Sequence, residues 1–293
     1  MKTAKPKMPR TLLVDFDIVL FKHAYAQEYE VDWKDGTTST LLHQAKAEYS
    51  IDQSIETLRK RCRCDDVLLF VSGPFNFRYQ VLPSYKHNRV HVEKPQLIEP
   101  LKTWAETEYT LIYQRGMEAD DMLGIYASKN KHSVLATIDK DLKQIPCRLY
   151  LWNKDTLETI SLRDADRWFF RQVLTGDPTD GYTGCPGIGP KKAEELLDGN
   201  LKKRWWSLII KLYEDTLAKA RKIKENQDVG MPVPKKDWWT VYIKHCESAG
   251  SAEAFALQTA RVARICRHED YDEKTGKPIL WKPKETEGGE IKS

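Results

Sequence analysis

No stretch of about 20 apolar residues occurs anywhere in the 293-residue chain, so no segment reads as a bilayer-crossing helix. The first apolar run, residues 11–21, is broken by Asp15 and Asp17. The basic start (Lys2, Lys5, Lys7, Arg10) has no clean apolar segment or cleavage site behind it, which argues against a signal peptide. Cysteine is sparse. The six stand at 62, 64, 147, 185, 246 and 266, none in C-x-x-C spacing, and no second pair completes a zinc set. They read as reduced thiols of a cytoplasmic protein, with a metal role for Cys62 and Cys64 as the outside case. Internal repeats and low-complexity tracts are also missing. These absences exclude a membrane protein, a disulfide-held mini-domain and a disordered chain.

What is present is ordinary for a globular protein: 41% hydrophobic and 31% charged residues. The length suggests about two domains. The net charge is only +4, but it is unevenly spread. Residues 201–224 carry eight Lys or Arg against Glu214 and Asp215, while the remainder is slightly acidic. A local basic region of this kind suits a polyanion partner.

The first half alternates strand and helix patterns. Apolar runs at 11–16, 67–71, 110–113, 133–138 and 148–152 read as buried strands. Helical patterns lie between them, near 19–28, 41–62, 96–106 and 118–128, and residues 31–40 read as a hairpin around Asp35-Gly36. This alternation predicts an α/β domain with a mostly parallel sheet and helices on both faces. Beyond about Leu162 only helical patterns remain: 162–174, 191–197, 201–223, 238–248 and 252–267. Residues 225–237 look like a linker, and the polar last dozen residues like a frayed end. The expected domains are 1–160 and 161–293.

Sites in open parallel sheets form beyond the carboxyl ends of the strands. Acids collect there. Asp15 and Asp17 follow the first strand, Glu118-Ala119-Asp120-Asp121 opens the helix after the third, and Asp139 and Asp141 follow the fourth. In extended chain, residues two apart share a face, so each Asp pair can point one way. Glu118 and Asp121 are neighbours at i and i+3 of a helix. So many carboxylates in one place would repel without cations, and hard oxygen donors suit Mg²⁺ or Mn²⁺. Taken singly, each Asp is as well explained as a helix cap. Asp177 and Asp180 add two acids in a turn, Gly176-Asp177-Pro178-Thr179-Asp180-Gly181.

Groups suited to phosphate lie further along. Gly187-Ile188-Gly189-Pro190-Lys191-Lys192 places two glycines before a helix that opens with paired lysines. Glycines let backbone approach a phosphate, and a helix amino end offers it free N–H groups. This is the form of a helix-hairpin-helix that grips a nucleic-acid backbone without reading bases. Tyr85-Lys86-His87-Asn88-Arg89 sets an aromatic ring beside cations. Tyr85 is a candidate for base stacking, Lys86 and Arg89 for a reacting phosphate. Trp205 and Trp206 read as helix core, and His23 as a packing residue.

Val14-Asp15-Phe16-Asp17, the 83–89 segment, the 116–121 segment, Thr137–Leu142 and the 175–193 segment occur in an order that resembles the flap endonuclease / 5′→3′ exonuclease family. In character the chain is most similar to the stand-alone exonucleases of short-tailed bacteriophages. The resemblance covers residues 11–200 and implies a PIN-like fold followed by a helical region with the helix-hairpin-helix. It implies two divalent metal ions, Mg²⁺ first. Asp15, Glu118, Asp120 and Asp121 would hold one, with Asp139 ligating or bridging. Asp141, Asp177 and Asp180 would serve the second. Lys86 would sit on the scissile phosphate with Arg89 assisting, Tyr85 would stack near the terminal nucleotide, and Gly187, Gly189, Lys191 and Lys192 would clamp the duplex. Where many relatives carry an Asp after the second strand, Ser72-Gly73-Pro74 stands here, and Asp17 is placed to compensate in part.

The implied activity is metal-dependent 5′→3′ hydrolysis of phosphodiester bonds in duplex DNA with a 5′ end. RNA in RNA–DNA hybrids and flaps are further substrates, and the roles implied are phage DNA replication, primer removal or host DNA degradation. Such an enzyme would work as a monomer in the host cytoplasm, with no membrane partner. Two other readings compete. Val14–Val19 also fits the opening of a haloacid-dehalogenase-type phosphatase with Asp15 as nucleophile. A catalytically dead nucleic-acid-binding module is the other, although retained acids would weaken mere binding.

Overall fold

The structure is a computed structural model that describes residues 9–89 and 92–284. The lysines at 2, 5 and 7 and most of the polar end lie outside the described residues. The chain forms two compact units, and each is interrupted in sequence. The first comprises Met1–Asn76, His91–Leu162 and Ile265–Ile279. The second comprises Phe77–Val90, Arg163–Arg264 and Leu280–Ser293. The division thus departs from a single cut at 160/161. Two buried arginines account for the exchanged segments. Arg267 gives its guanidinium to the Gln144 carbonyl (2.9 and 2.6 Å), which fastens residues 265–279 to the first unit. Arg78 caps the carbonyls of Val262 (2.9 Å) and Arg264 (2.6 Å), which fastens 77–90 to the second. Buried guanidinium groups need such partners, since an unpaired one would cost several kcal/mol.

In the first unit β1 (Thr11–Asp15) leads into α1 (Phe16–Ala26). A hairpin of β2 (Glu28–Asp32) and β3 (Thr38–Leu42) follows, with Gly36 at φ +85° in its turn. Then come α2 (Gln44–Cys62) and β4 (Asp66–Phe70). The short helix α3 (Arg78–Val81) belongs to the second unit. The first unit continues with α4 (Ile98–Glu108), β5 (Leu111–Ile112), α5 (Ala119–Lys129), β6 (Ser133–Thr137), β7 (Arg148–Leu151) and β8 (Thr156–Thr159).

The sheet order is β5-β4-β1-β6-β7-β8, parallel except for β8. The sequence reading missed β8, a largely exposed Thr-Leu-Glu-Thr segment whose place is set by pairing with β7 rather than by burial. Alternation along the central strands serves two cores. Leu12, Val14, Leu69, Val134 and Ala136 join the apolar cluster of α1, α2 and α4. Phe70 turns the other way and meets Tyr126 of α5 edge-on at 5.1 Å. The expected helices on both faces follow from that alternation.

The second unit holds α6 (Leu162–Thr175), α7 (Pro190–Asp198), α8 (Trp205–Asp228), α9 (Trp238–Ala249) and α10 (Ala252–Ala263). Its core is aromatic. Trp205, Trp206, Tyr213, Trp239, Tyr242 and Phe255 are all buried, as read for the first two. Three of the polar tips find backbone carbonyls: Trp205 Nε1 on Leu197 (2.8 Å), Tyr213 on Val173 (2.6 Å) and Tyr242 on Tyr213 (3.0 Å), while the buried Trp239 Nε1 has no partner among the described residues. The expected linker begins only after Asp228, because helix formers continue α8 until Val229-Gly230. Among the described residues no helix is long and apolar enough to cross a membrane.

One glycine shows how tightly the first unit closes. A Cβ on Gly124, inside α5, would stand 2.3 Å from the Cys266 carbonyl oxygen and 2.7 Å from Ile145 Cδ1. Alanine is the better helix former by about 1 kcal/mol. Gly124→Ala is nevertheless expected to destabilise the fold by about 1–3 kcal/mol, the usual cost of overpacking. A lowered urea midpoint at unchanged m-value checks this.

Candidate active site

The connections from β1 run to β4 and β5 on one side and return through β6 to the other, so the sheet order reverses between β1 and β6. That reversal opens a crevice at the carboxyl ends of the two strands. Asp15 ends β1 there and is 3% exposed. The Thr137 hydroxyl, ending β6, donates to Asp15 Oδ2 (2.8 Å), and the Asp139 N–H donates to Thr137 Oγ1 (2.9 Å). The Asp141 N–H in turn donates to Asp139 Oδ1 (2.8 Å) as Asp139 caps the short 3₁₀ turn Lys140–Gln144. Burial is the main reason the Asp15 carboxyl is pushed up to about 7; Thr137 opposes the rise, and the charges of Asp17 and Asp139 add to it.

Asp17 does not share a strand face with Asp15 as expected. The helix begins at Phe16, so Asp17 lies in its first turn. It converges by another route. The Ser72 N–H donates to Asp17 Oδ2 (3.0 Å), and Ser72 Oγ accepts the Ala119 N–H at the start of α5 (3.1 Å). Burial raises the Asp17 carboxyl; its Ser72 hydrogen bonds and the Lys102 charge lower it, and Glu118 raises it. Ser72 thereby ties the ends of β1 and β4 to the helix that carries the 118–121 acids. Sequence reading gave neither Ser72 nor Thr137 this role. The available signal was a hydroxyl at the end of each apolar strand.

Glu118 and Asp121 meet at i and i+3 as expected, but as a capping box. Asp121 is fully buried and accepts the Glu118 N–H (3.2 Å) on one oxygen and the Cys266 N–H (3.0 Å) on the other. That geometry gives Asp121 a structural task, tying the start of α5 to the Cys266 backbone. Glu118 and Asp120 are half-buried on the first turn. Among the described residues no three acidic, histidine or cysteine side chains stand in a ready-made ligand group. The donor set still fits a hard divalent cation. Asp15, Asp17, Glu118 and Asp139 supply oxygens only; Asp17 and Asp139 raise the proton affinity of Asp15, and Glu118 that of Asp17, in a way that a cation would relieve. Cys62 and Cys64 do not fit a metal. Both are buried, and burial pushes their thiols up to about 12 and 11.

The remaining expected residues belong to the second unit. There Asp180 is a hub. Lys86 Nζ (3.7 Å) and Arg89 Nη2 (2.8 Å) approach Oδ1, the Tyr85 hydroxyl donates to Oδ2 (3.1 Å), and the Lys86 N–H donates to the Asp180 carbonyl (2.9 Å). Asp177 caps the same loop by accepting the Thr179 N–H (2.8 Å). Lys86 holds φ +51°, a left-handed conformation that a non-glycine residue adopts at a cost of order 1–3 kcal/mol and that clusters at functional loops. Tyr85 overturns its assignment. It is 2% exposed and sits in the aromatic core, so its ring is closed to a base; packing and the Asp180 bond took it inward. The ring edge it meets, Tyr79 at 6.1 Å, is the exposed one.

The hairpin is formed as expected. Gly187 takes φ +81° and is exposed, Ile188 anchors in the core, and Gly189 caps α7 with Pro190 at its first position. Lys191 and Lys192 are exposed beside the free N–H groups of that helix start. On α8 the side chains of Lys211, Lys219, Arg221, Lys222 and Lys224 are exposed, while Lys202 pairs with Asp166.

Comparison with known proteins agrees with this geometry. The family described as 5′-3′ exonuclease, N-terminal resolvase-like domain, matches residues 10–167. The chain is 27% identical to the exonuclease of Escherichia phage T7 and 28% identical to the exodeoxyribonuclease of Enterobacteria phage T3, with 93% of this chain and of each relative covered. Among solved structures, a T5 5′-exonuclease variant superposes at TM-score 0.55 with 15% identity over 88% of both chains. The T5 D15 flap endonuclease, in a complex with DNA and metal ions, superposes at 0.54 with 18% identity over 87% of this chain and 89% of its own. At those identities the structural likeness concerns the fold. The protein belongs to the 5′-3′ exonuclease family and is a 5′-3′ nuclease. The phosphatase and dead-module readings fall with that result.

The buried Asp15 sets a pH signature. A folded pKa near 7 against about 3.9 in the unfolded chain means that, between these values, only the folded state holds the proton. Stability contributed by this group is therefore full at low pH and declines as pH rises through 7. Asp15→Asn keeps an acceptor for Thr137 and removes the charge. In EDTA it is expected to raise Tm at pH 8 by several degrees and much less at pH 5, while hydrolysis collapses. Melting curves at both pH values check the difference.

Proposed function

We propose that this nuclease hydrolyses phosphodiester bonds of duplex DNA from a 5′ end with divalent metal ions, Mg²⁺ first, and that RNA strands in RNA–DNA hybrids are degraded as well. The observation that carries the reading is the Asp15 carboxylate buried at the β1/β6 reversal, surrounded by Asp17 and Asp139 and held by Thr137. Burying mutually repelling acids destabilises the fold and has a purpose only if cations share the edge.

Asp15, Glu118, Asp120 and Asp139 are the residues that would hold metal, with Asp17 added by its position, and Asp141 through its place beside Asp139. Bound metal would lower the pKa of a water and offset charge on the phosphoryl oxygens. Thr137 and Ser72 fix the rotamers of Asp15 and Asp17, so the acids need little reorganisation when substrate arrives. In the second unit Lys86 and Arg89 are the cations for substrate phosphates. Phosphate oxygens would compete with Asp180 for them, which gives Asp180 the role of holding both side chains in place. Asp177 and Asp180 as direct metal ligands rest on the family resemblance alone. The exposed glycines and lysines at 187–192 would grip the duplex backbone, a contact indifferent to sequence.

Digestion of matched duplexes, hybrids and flaps labelled at either end tests the reading. Loss of the 5′ label first, with Mg²⁺ and not with EDTA, is the expected result; preferential loss of the 3′ label would overturn it. Asp139→Ala is expected to lower turnover by orders of magnitude at nearly unchanged DNA affinity, since a lost metal oxygen acts mainly on the transition state. Replacing Lys191 and Lys192 with Ala is expected to weaken duplex binding alike for all sequences. The log–log salt slope should flatten by roughly 0.9 per lost phosphate contact, as fluorescence anisotropy at several salt concentrations would show.

A further inference from the structure

The acids occupy the β1 and β6 end of the carboxyl edge. The β4 and β5 end of the same edge carries something else. Phe75, three residues past Ser72, is 68% exposed and holds φ +67°. A bulky residue in the left-handed region is an outlier that glycine or asparagine would occupy more cheaply. Burial does not compensate Phe75, since it joins neither apolar cluster. What its ring does meet is the Arg115 guanidinium, 4.3 Å from the centroid. Tyr113, just past β5, is 49% exposed and carries the Lys102 ammonium 5.1 Å from its ring centroid.

Both pairs are rigidly presented. The Gly73 N–H donates to the Met117 carbonyl (3.0 Å) and the Gly116 N–H to the Pro74 carbonyl (2.9 Å), so the loops after β4 and β5 are stapled together. Only glycine permits that approach at 73, where a Cβ would lie 2.0 Å from the Gln114 oxygen. The strip also touches the acids electrostatically. Lys102 is close enough to Asp17 to lower its pKa, and Arg115 precedes Glu118 by three residues on the same short segment.

We propose that Phe75 and Tyr113, each with its cation, form a base-stacking strip on which nucleobases of the substrate strand rest beside the acidic edge. The inference builds on nucleic acid being the substrate. Single exposed aromatics are common and need no explanation. Two exposed rings, each flanked by a cation at adjacent strand ends next to the acids, match what a nucleotide offers: a flat π-face and an anionic phosphate. Stacking of this kind tolerates any base, in keeping with a backbone-directed nuclease. A protein partner would instead favour a contiguous apolar patch with few charges.

The test uses the full chain with Ca²⁺ in place of Mg²⁺ and duplexes carrying 2-aminopurine at successive positions around the 5′ terminus. Stacking should alter the 2-aminopurine emission at one or two positions with the unaltered chain. Phe75→Gly and Tyr113→Ala should abolish that change and weaken binding about tenfold each, and Phe75→Trp should restore both. Phe75→Gly suits the backbone better than phenylalanine does, so its Tm should stay level or rise, which separates lost stacking from lost folding. Unchanged emission and affinity in both variants would overturn the strip and leave the rings to a partner protein or to solvent. If the unaltered chain neither bound nor cut nucleic acid, the functional reading itself would fail. If it did both while the variants matched it, the strip alone would fail.

Discussion

The hydrogen bond from the Thr137 hydroxyl to Asp15 is the contact on which the first unit's chemistry depends. It joins the ends of β1 and β6 where the sheet order reverses, and through the Asp139 N–H it also sets where the chain turns after β6. A buried carboxylate without a donor would either protonate or turn away from its neighbours. With Thr137 in place it stays aimed at the edge, although burial and two other acids push its pKa up to about 7. Ser72 does the matching work for Asp17, and the capping box does it for Glu118. Each acid is thus fixed by a group that is itself part of the strand or helix end.

The two units treat charge in opposite ways. The first gathers anions in a place where they raise the free energy of the fold, a common trade of stability for function. The second gathers cations around one acid, Asp180, and leaves further lysines exposed at a helix start and along α8. Its stability rests on an aromatic core in which Trp205, Tyr213 and Tyr242 give their polar tips to carbonyls, so its surface charge is free to serve a ligand. Lys86 and Phe75 both hold left-handed conformations beside these charged surfaces, as do the exposed Arg63 and Asp155 elsewhere in the first unit.

Features carried by a few neighbouring residues were legible in the chain. Apolar runs became the parallel strands, Asp35-Gly36 became the hairpin turn, and the 185–193 segment became a glycine turn capping a lysine-bearing helix. Features that depended on distant partners were not. Tyr85 looked like a surface ring beside cations, yet Asp180, 95 residues later, drew its hydroxyl inward. Asp121 looked like one more acid of the cluster, yet the Cys266 N–H, 145 residues away, claimed one of its oxygens. The strand β8 had too little apolar alternation to announce itself and exists because β7 offered an edge.

The sequence by itself determined the alternation of strands and helices in the first half, the concentration of acids at strand ends, the form of the glycine turn before a lysine-bearing helix and, through motifs in fixed order, the family. Periodicity and turn chemistry act over a few residues, so a linear reading has access to them. Tertiary structure alone decided which acids are buried against a hydroxyl and which cap a helix, which aromatic rings face solvent, and which distant segments Arg78 and Arg267 fasten. Those outcomes depend on whether a buried polar group finds a partner, and a partner 55 to 186 residues away is brought into hydrogen-bonding distance only by the folded backbone.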